Sequence, residues 1–422
     1  MSDLKEFEEQ LRNMQKQQPT NQQPVQPPPG SQPIQVVKNI VLSYVSDAAG
    51  CGHIRNIFPM TFINSIFAKT GAILPIITPF FIFQEDLLAR TKALYFQRQM
   101  TPEHLQIIRI YKEHQPRLQY KMIWEIDDFI WGHNELQGGT KEDGVPSYNF
   151  GYPNITDDIK SCSVEIMKLM DHITVSTQFL ADYIKNELKV NVPITVLQNT
   201  IPSYFWGNVR KTPITERIKK PRVIYTGSPT HYRNPLDARP PSPQEPNGFP
   251  GDPVKMLGDF DNAWKDWVIK SVNNDKIEFI CMGGLPWFFN EIKDKITILN
   301  WVDSFKYHML VKEQKADFGI MPLTCNNFNR GKSDIKAIEH YADGVVCIGT
   351  TFIDGTPSPY DNNPLSLPID CTVEDIDNLF DMYCEPEHYN FILEEQYKKL
   401  NTEGRWLESP DYINKFVNIL MN

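Results

Sequence analysis

Little in this 422-residue chain points to a metal, a disulfide framework or a membrane. Its seven cysteines (51, 162, 281, 325, 347, 371 and 384) form no CxxC pair and no Cys/His cluster with ligand spacing. An odd, scattered set reads as reduced thiols in a cytoplasmic-type compartment. The longest apolar run, 71–83, is too short to span a bilayer and is broken by Pro75 and Pro79. The opening stretch, MSDLKEFEEQ, is acidic and polar and does not read as a secretory leader. Positive charge is not in excess either. There are 42 Lys and Arg against 52 Asp and Glu, a formal charge of −10, which excludes a general nucleic-acid coat but not a local basic groove. A GxGxxG motif is also missing. The nearest approach, Gly50-Cys51-Gly52-His53-Ile54-Arg55, has Arg55 where the third glycine belongs, which disfavours a dinucleotide site.

What is present is enough to build a core. Hydrophobic residues make up 41% and aromatics 12%, which rules out wholesale disorder. Residues 1–33 stand apart from the rest. Leu4, Phe7, Leu11 and Met14 form a heptad-like seam over 3–16, either a helix docked on its own domain or a self-association helix. The Gln- and Pro-rich residues up to 33 read as a flexible tether. From residue 36 strands and helices alternate. Strands are expected at 36–44, 73–77, 93–97, 121–126, 173–176 and 194–197. Thr101-Pro102-Glu103 is a clear helix start, with a capping hydroxyl, a proline and an acid against the dipole. A charged linker at 208–220 follows, and the alternation restarts with strands at 222–225, 276–282, 296–301, 318–321 and 345–350. The Pro-rich stretch 233–256 is expected to be a surface loop, and 391–422 a helical segment. The chain thus reads as two α/β domains, 34–207 and 221–390, each with a mostly parallel, doubly wound sheet. Ligands bind such sheets at the carboxyl ends of their strands, which places the site in a cleft between the domains.

Three segments carry candidate chemistry. In 317–349 a strand leads through a polar loop into a helix, with Ser333 expected as N-cap and Gly344 as its end. Lys332 and Lys336 are four apart and Glu339 three further on, which puts all three on one helix face. Two ammoniums and free N–H groups at a helix start suit a diphosphate, and the glutamate can accept from ribose hydroxyls. The competing reading is a solvated Lys–Glu face. In 223–231 (VIYTGSPTH) a strand ends at Gly227-Ser228, either a close approach to a phosphate or an ordinary tight turn. In Glu125-Ile126-Asp127-Asp128 the paired acids read as acceptor-side or loop-capping groups, and no metal is expected. Residues 86–122 hold seven basic side chains against three acids, and 210–222 six against one. That is either a duplex-binding face or a solvated basic surface.

At these residues the chain resembles the GT-B glycosyltransferases, in particular the retaining group that includes glycogen and sucrose synthases. The matching segments are ADFGIMPL (316–323), FNRGKSDIKAIEHYADGVVCIGT (328–350), RVIYTGSPTH (222–231), DHITVSTQFLADYI (171–184) and ITVLQNTIP (194–202). With EIDDFIW (125–131) and QRQMTPEHL (97–105) it further resembles glycosyltransferases of T-even-like tailed phages. The resemblance implies two Rossmann-like domains, a UDP-sugar donor on the second, an acceptor on the first, no required cofactor, and a C-terminal helix crossing back to the first domain. It implies Gly227 and Ser228 at the donor phosphates, and Asn329, Lys332, Ser333 and Lys336 around the diphosphate. Glu339 would hold the ribose and Trp301-Val302 the base. Lys332, Lys336, His231 and Asp127 would carry catalysis, with His53, Arg55, Arg98, Asp127 and Asp128 on the acceptor side. One departure stands out: the family's second glutamate, eight residues before the ribose glutamate, is Gly331 here. The phage likeness implies hydroxymethylcytosine in DNA as acceptor, a pentose such as arabinose or a hexose such as glucose as the sugar, and the host cytoplasm as location. The alternatives are a glycan, protein or small-molecule acceptor, or a binding module that has kept the fold without catalysis.

Overall fold

The structure, a computed structural model, describes residues 38–132, 155–207, 211–227, 231–232, 257–260, 262–353 and 355–422. The 3–16 seam, the tether after it, Ser228 and the 233–256 insertion lie outside these residues. Among the described residues twelve strands form two six-stranded sheets. The first comprises β1 (Ile40–Tyr44), β2 (Leu74–Thr78), β3 (Thr91–Gln97), β4 (Lys121–Ile126), β5 (His172–Val175) and β6 (Ile194–Val196), in the order β2-β1-β3-β4-β5-β6. The second comprises β7 (Arg222–Thr226), β8 (Glu278–Met282), β9 (Thr297–Leu299), β10 (Phe318–Ile320), β11 (Val346–Thr351) and β12 (Ser366–Pro368), in the order β12-β11-β10-β7-β8-β9. All pairings are parallel. Strand order reverses beside β1 in one sheet and between β7 and β10 in the other. These are the switch points where loops splay apart and leave a crevice.

Helices fill crossovers, α1 (Phe58–Phe67), α2 (Pro102–Leu118), α3 (Asp157–Leu169), α4 (Gln178–Asn186), α5 (Ala263–Asn273), α6 (Ser304–Glu313), α7 (Asn327–Gly331) and α8 (Ile335–Ala342), and three follow the last strand, α9 (Val373–Tyr383), α10 (Pro386–Thr402) and α11 (Pro410–Met421). Local chemistry explains several boundaries. Thr101 caps α2 by accepting from the His104 amide, and Thr177 caps α4 by accepting from the Leu180 amide. Among the described residues no helix is long and apolar enough to cross a membrane.

The C-terminal stretch, expected as one helical segment, is two helices with different partners. Gly404 turns the chain at φ +62, and Pro410 opens the second helix. The first, α10, stays with the second sheet: buried Gln396 bonds both backbone groups of Cys347 on β11. The second, α11, covers the first sheet. Phe416 meets Tyr95 edge-on at 5.7 Å, and Lys121 Nζ donates to the Ile419 carbonyl at 2.9 Å. Both sheets belong to one compact unit, Lys38–Asn422.

Candidate functional site

The carboxyl ends of the two sheets enclose a cleft made of two adjoining cavities of about 320 and 310 Å³. Cys51, Asp127, Asn199, His231, Ile335 and Lys336 line both and form the waist between them. One arm runs past Thr226, Gly227, Gly283 and Glu339 to Trp301 and Val302. The other runs past Lys332, Ser333 and Phe328 to Asp128 and Tyr360.

His231 occupies the waist with cations on both sides. Its Nδ1 lies 2.6 Å from Asp259 Oδ2, and its Nε2 lies 3.2 Å from Lys336 Nζ. An Nδ1–H donated to Asp259 leaves Nε2 with a lone pair that accepts from the Lys336 ammonium. Lys332 Nζ is 3.1 Å from His231 Nδ1 and 3.7 Å from Asp259 Oδ2. Burial, then Lys332 and Lys336, hold the His231 pKa down at about 3, so the ring is neutral at physiological pH. Burial pushes the Asp259 carboxyl up, but Lys332, His231 and Asn329 outweigh it and hold it at about 2. Burial lowers Lys332, and burial together with Lys332 brings Lys336 down to about 7. Two half-buried amines thus converge on His231 with Asp259 as their paired carboxylate, while Asp127 and Asp128 of the same lining are paired with Arg98. The site is short of anionic charge, a state that favours an anionic ligand.

The structure rearranges the expected helix face. Lys332 is not on α8 with Lys336 and Glu339; it ends the short α7 and sits in the loop before α8. Ser333 is not the N-cap. That position is Asp334, without a side-chain cap bond, while the Ser333 hydroxyl accepts from Asn199 Nδ2 at 2.7 Å. The lysines therefore converge by loop geometry and not by helical spacing. Asn329 does not face the cavity; it is fully buried and donates to Asp259 and to the Thr324 carbonyl, so it braces the braces of His231. Glu339 lies in the Trp301 arm beside Tyr307. Burial, then Asp343, push its carboxyl up to about 8, which lets it both donate and accept toward a diol at neutral pH. Trp301 lines that arm and is 60% exposed.

Position 331 has no room for a side chain. A Cβ there would stand 2.8 Å from the Phe129 Cβ of the first half. The glycine is thus required by a contact across the cleft, reinforced by Thr177 Oγ1 donating to the Gly331 carbonyl at 3.2 Å.

On the first half, Asp127 and Asp128 line the cavity, and His53 lines the Trp301 arm with its ring perpendicular to that of Phe305 at 4.8 Å. Arg98 is spent on these acids: its Nε donates to Asp127 at 2.9 Å, and its Nη2 donates to Asp128 and lies 3.2 Å from Cys51 Sγ. Cys51, Asp127 and Asp128 are the cluster with metal-compatible spacing among the described residues, and the Arg98 guanidinium contacts all three. Arg55 is not on the acceptor surface. It is 2% exposed and pairs inside the fold with Glu125 at 2.6 Å.

Sequence reasoning missed Asp259, Asn199 and Arg405, which hold the clamp residues in place. Asp259 follows directly on the Pro-rich insertion, and its only local signal is the turn that Gly258 makes at φ +57. Asn199 ends the segment ITVLQN, where a polar residue after a strand marks a loop but not a partner. Arg405 carries no signal before the fold is known.

No family model matches the chain, and no curated protein is similar to it in sequence. Solved structures do match over nearly its whole length. A glycosyltransferase from Rickettsia africae superimposes with a TM-score of 0.53 at 13% identity, covering 91% of this chain and 98% of the other. Sucrose-phosphate synthase from Thermosynechococcus elongatus gives 0.54 at 11% identity over 90% and 98%. HepE of Anabaena, solved with UDP and glucose, gives 0.52 at 6% identity over 91% and 99%. The fold is GT-B. In this arrangement the β7 turn and the α7–α8 loop of the second half line the same cleft as Asp127 and Asn199 of the first.

Proposed function

We propose that the chain is a glycosyltransferase that takes its sugar from a UDP-sugar. The observation that carries this reading is the convergence of Lys332 and Lys336 on neutral His231 at the junction of two cavities. A nucleoside diphosphate sugar has that shape: a flat base and a diol at one end, a dianionic waist, a polyhydroxylated ring at the other. The base stacks on Trp301, the ribose diol meets Glu339, and the diphosphate takes the waist. The sugar then lies between Lys332, Ser333 and the Asp127–Asp128 pair. As the glycosidic bond to the donor breaks, negative charge grows on the departing diphosphate oxygen, and preorganised ammonium groups stabilise it. Arg98 pairs with both aspartates beside the ring, where their carboxylate oxygens accept from sugar hydroxyls.

The acceptor is open to a direct assay. Hydroxymethylated DNA enters on the segments EIDDFIW and QRQMTPEHL, but several of the basic side chains that would grip a duplex are already held in ion pairs. Arg109 pairs with Glu165, Lys112 with Asp171 and Arg117 with Glu85. In the linker Lys211, Arg217, Lys220 and Arg222 pair with Asp317, Asp381, Asp275 and Glu278. This favours a glycan, protein or small-molecule acceptor. UDP release from a panel of UDP-sugars, with and without hydroxymethylated DNA or glycan acceptors, tests the reading. Release with any acceptor supports catalysis; binding of UDP with no release under any condition would leave a binding module and overturn it.

The pH dependence follows from the waist. Lys336 at about 7 is largely neutral at pH 8 in the empty protein, and an arriving diphosphate restores its proton. UDP affinity is therefore expected to fall by up to about tenfold per unit as pH rises above 7. Calorimetry at pH 8 in two buffers of different ionisation enthalpy should show net proton uptake. Binding without proton exchange at pH 8 would contradict the clamp.

A further inference from the structure

The loop that carries the clamp joins its helices through backbone bonds, but its side chains are fastened from elsewhere. Asp334 caps α8 without a side-chain bond. Ser333 and Asp334, which sit between the two lysines, take their partners from elsewhere. The Ser333 hydroxyl accepts from Asn199 Nδ2, and both carboxylate oxygens of Asp334 accept from Arg405, at 2.9 Å from Nη1. The two anchors are joined, because Arg405 Nε donates to the Asn199 carbonyl at 3.2 Å. Both are buried, 4% and 3% exposed. Asn199 follows β6 of the first sheet, and Arg405 lies in the turn where the chain crosses from α10 to α11. On its far side Asn199 Oδ1 accepts from Arg55 Nη1 at 2.9 Å, which fixes the amide so that its nitrogen faces Ser333. An unbroken buried polar chain thus runs from Glu125 through Arg55 and Asn199 to the clamp loop.

We propose that Asn199 and Arg405 are positioning residues that assemble the Lys332–Lys336 clamp only when the two halves of the fold are in register, so that closing the cleft and building the diphosphate site are one event. Neither residue needs to touch the reacting bond. A loop held from the opposite half is fixed from both sides in the closed arrangement; in an open one its amines keep only their contacts within the second half, to His231 and Asp259. The consequence is that donor capture commits the enzyme to a water-poor cleft, which protects an activated sugar from hydrolysis.

The inference rests on the reading of this waist as a diphosphate site, and the test separates the two. UDP affinity is measured for the full-length wild type, Asn199→Ala, Ser333→Ala and the double variant, with melting curves to confirm folding. Each single change is expected to weaken UDP binding about tenfold, as loss of a buried hydrogen bond does. The double variant is expected to be no weaker than Asn199→Ala, because both remove the same link. Wild-type affinity in Asn199→Ala, or losses in the double variant that multiply, would overturn the proposal. If Asn199→Ala fails to fold, Ser333→Ala at the cavity edge carries the affinity test alone: about tenfold weaker binding supports the link and unchanged binding overturns it.

A wild type that binds no UDP would sink the diphosphate reading, and the positioning role is then decided in the empty protein. The readout is the pH dependence of Lys336 acylation by an amine reagent, followed by peptide mass spectrometry. Lys332, His231, Asp259 and Glu339 face Lys336 from its own half together with Tyr225 and His340, and Asp127 and Cys51 line the same cavities from the first; the variant retains all of them. Loosening the loop admits water, so the acylation midpoint should move upward in Asn199→Ala, or in Ser333→Ala where the former does not fold. A purely structural residue would lower the melting temperature and leave that midpoint in place.

Discussion

Lys336→Ala is expected to lower turnover of the UDP-sugar by about 10²–10³-fold, the cost of losing one preorganised group that stabilises developing charge. Lys336 is suited to this role by position. Its ammonium meets His231 Nε2 at 3.2 Å, and the residue lines both cavities. Folding should be unaffected, because the empty site gains nothing from the charge: burial and Lys332 hold the amine at about 7. Removing it relieves a buried cation instead of breaking a pair. Lys332→Ala is a different experiment, since it strips Asp259 of the cation that most strongly keeps it ionised. The informative measurement is single-turnover chemistry at saturating donor, beside a melting curve. Unchanged turnover in a folded Lys336→Ala protein would remove the clamp from the mechanism.

The difference between what could be read and what could not has a common physical origin. Strands buried on both faces of a parallel sheet write themselves as apolar runs, which is why Lys121–Ile126 coincides with its expected span. Capping chemistry is equally local, so Thr101 announces α2 correctly. The site lysines were legible as types, a cationic pair after a strand, but their geometry was not. A period of 3.6 residues placed Lys332 on a helix that begins only at Ile335. What moves it off that helix is long-range: Asn199 and Arg405 are 134 and 71 residues from their partners in the clamp loop. Arg55 shows the same limit. Adjacent to a glycine loop it reads as a ligand group, yet its partner Glu125 is 70 residues away inside the fold. Gly331 shows it in reverse, for a missing carboxylate reads as lost function until Phe129 is seen to fill the space.

Arg55→Met is expected to destabilise the protein by about 3–5 kcal/mol at neutral pH, because it leaves a buried carboxylate without its counter-charge. Arg55 and Glu125 are 2% and 0% exposed, and their Nε···Oε1 distance is 2.6 Å. The guanidinium also serves the Leu197 carbonyl and Asn199 Oδ1, so the same change orphans two further acceptors. The pH dependence distinguishes this cause from lost packing. Burial raises the Glu125 carboxyl from its ordinary 4.5 to about 7 even with Arg55 pulling it back. A carboxyl raised in the folded state binds its proton more tightly there than in the unfolded chain. Its contribution is fully present below the unfolded value and declines as pH rises toward the folded one. In the wild type that decline ends near pH 7; without Arg55 the folded value climbs higher and the decline continues. The gap between the two proteins should therefore widen above pH 7 in urea unfolding at constant salt. Adding Glu125→Gln to Arg55→Met removes the titrating group, so it should abolish the widening and recover part of the loss. A gap that stays constant from pH 6 to 9 in the single variant would mean that Arg55 contributes shape alone, and the buried ion pair would no longer be the anchor on which Asn199 and the clamp loop depend.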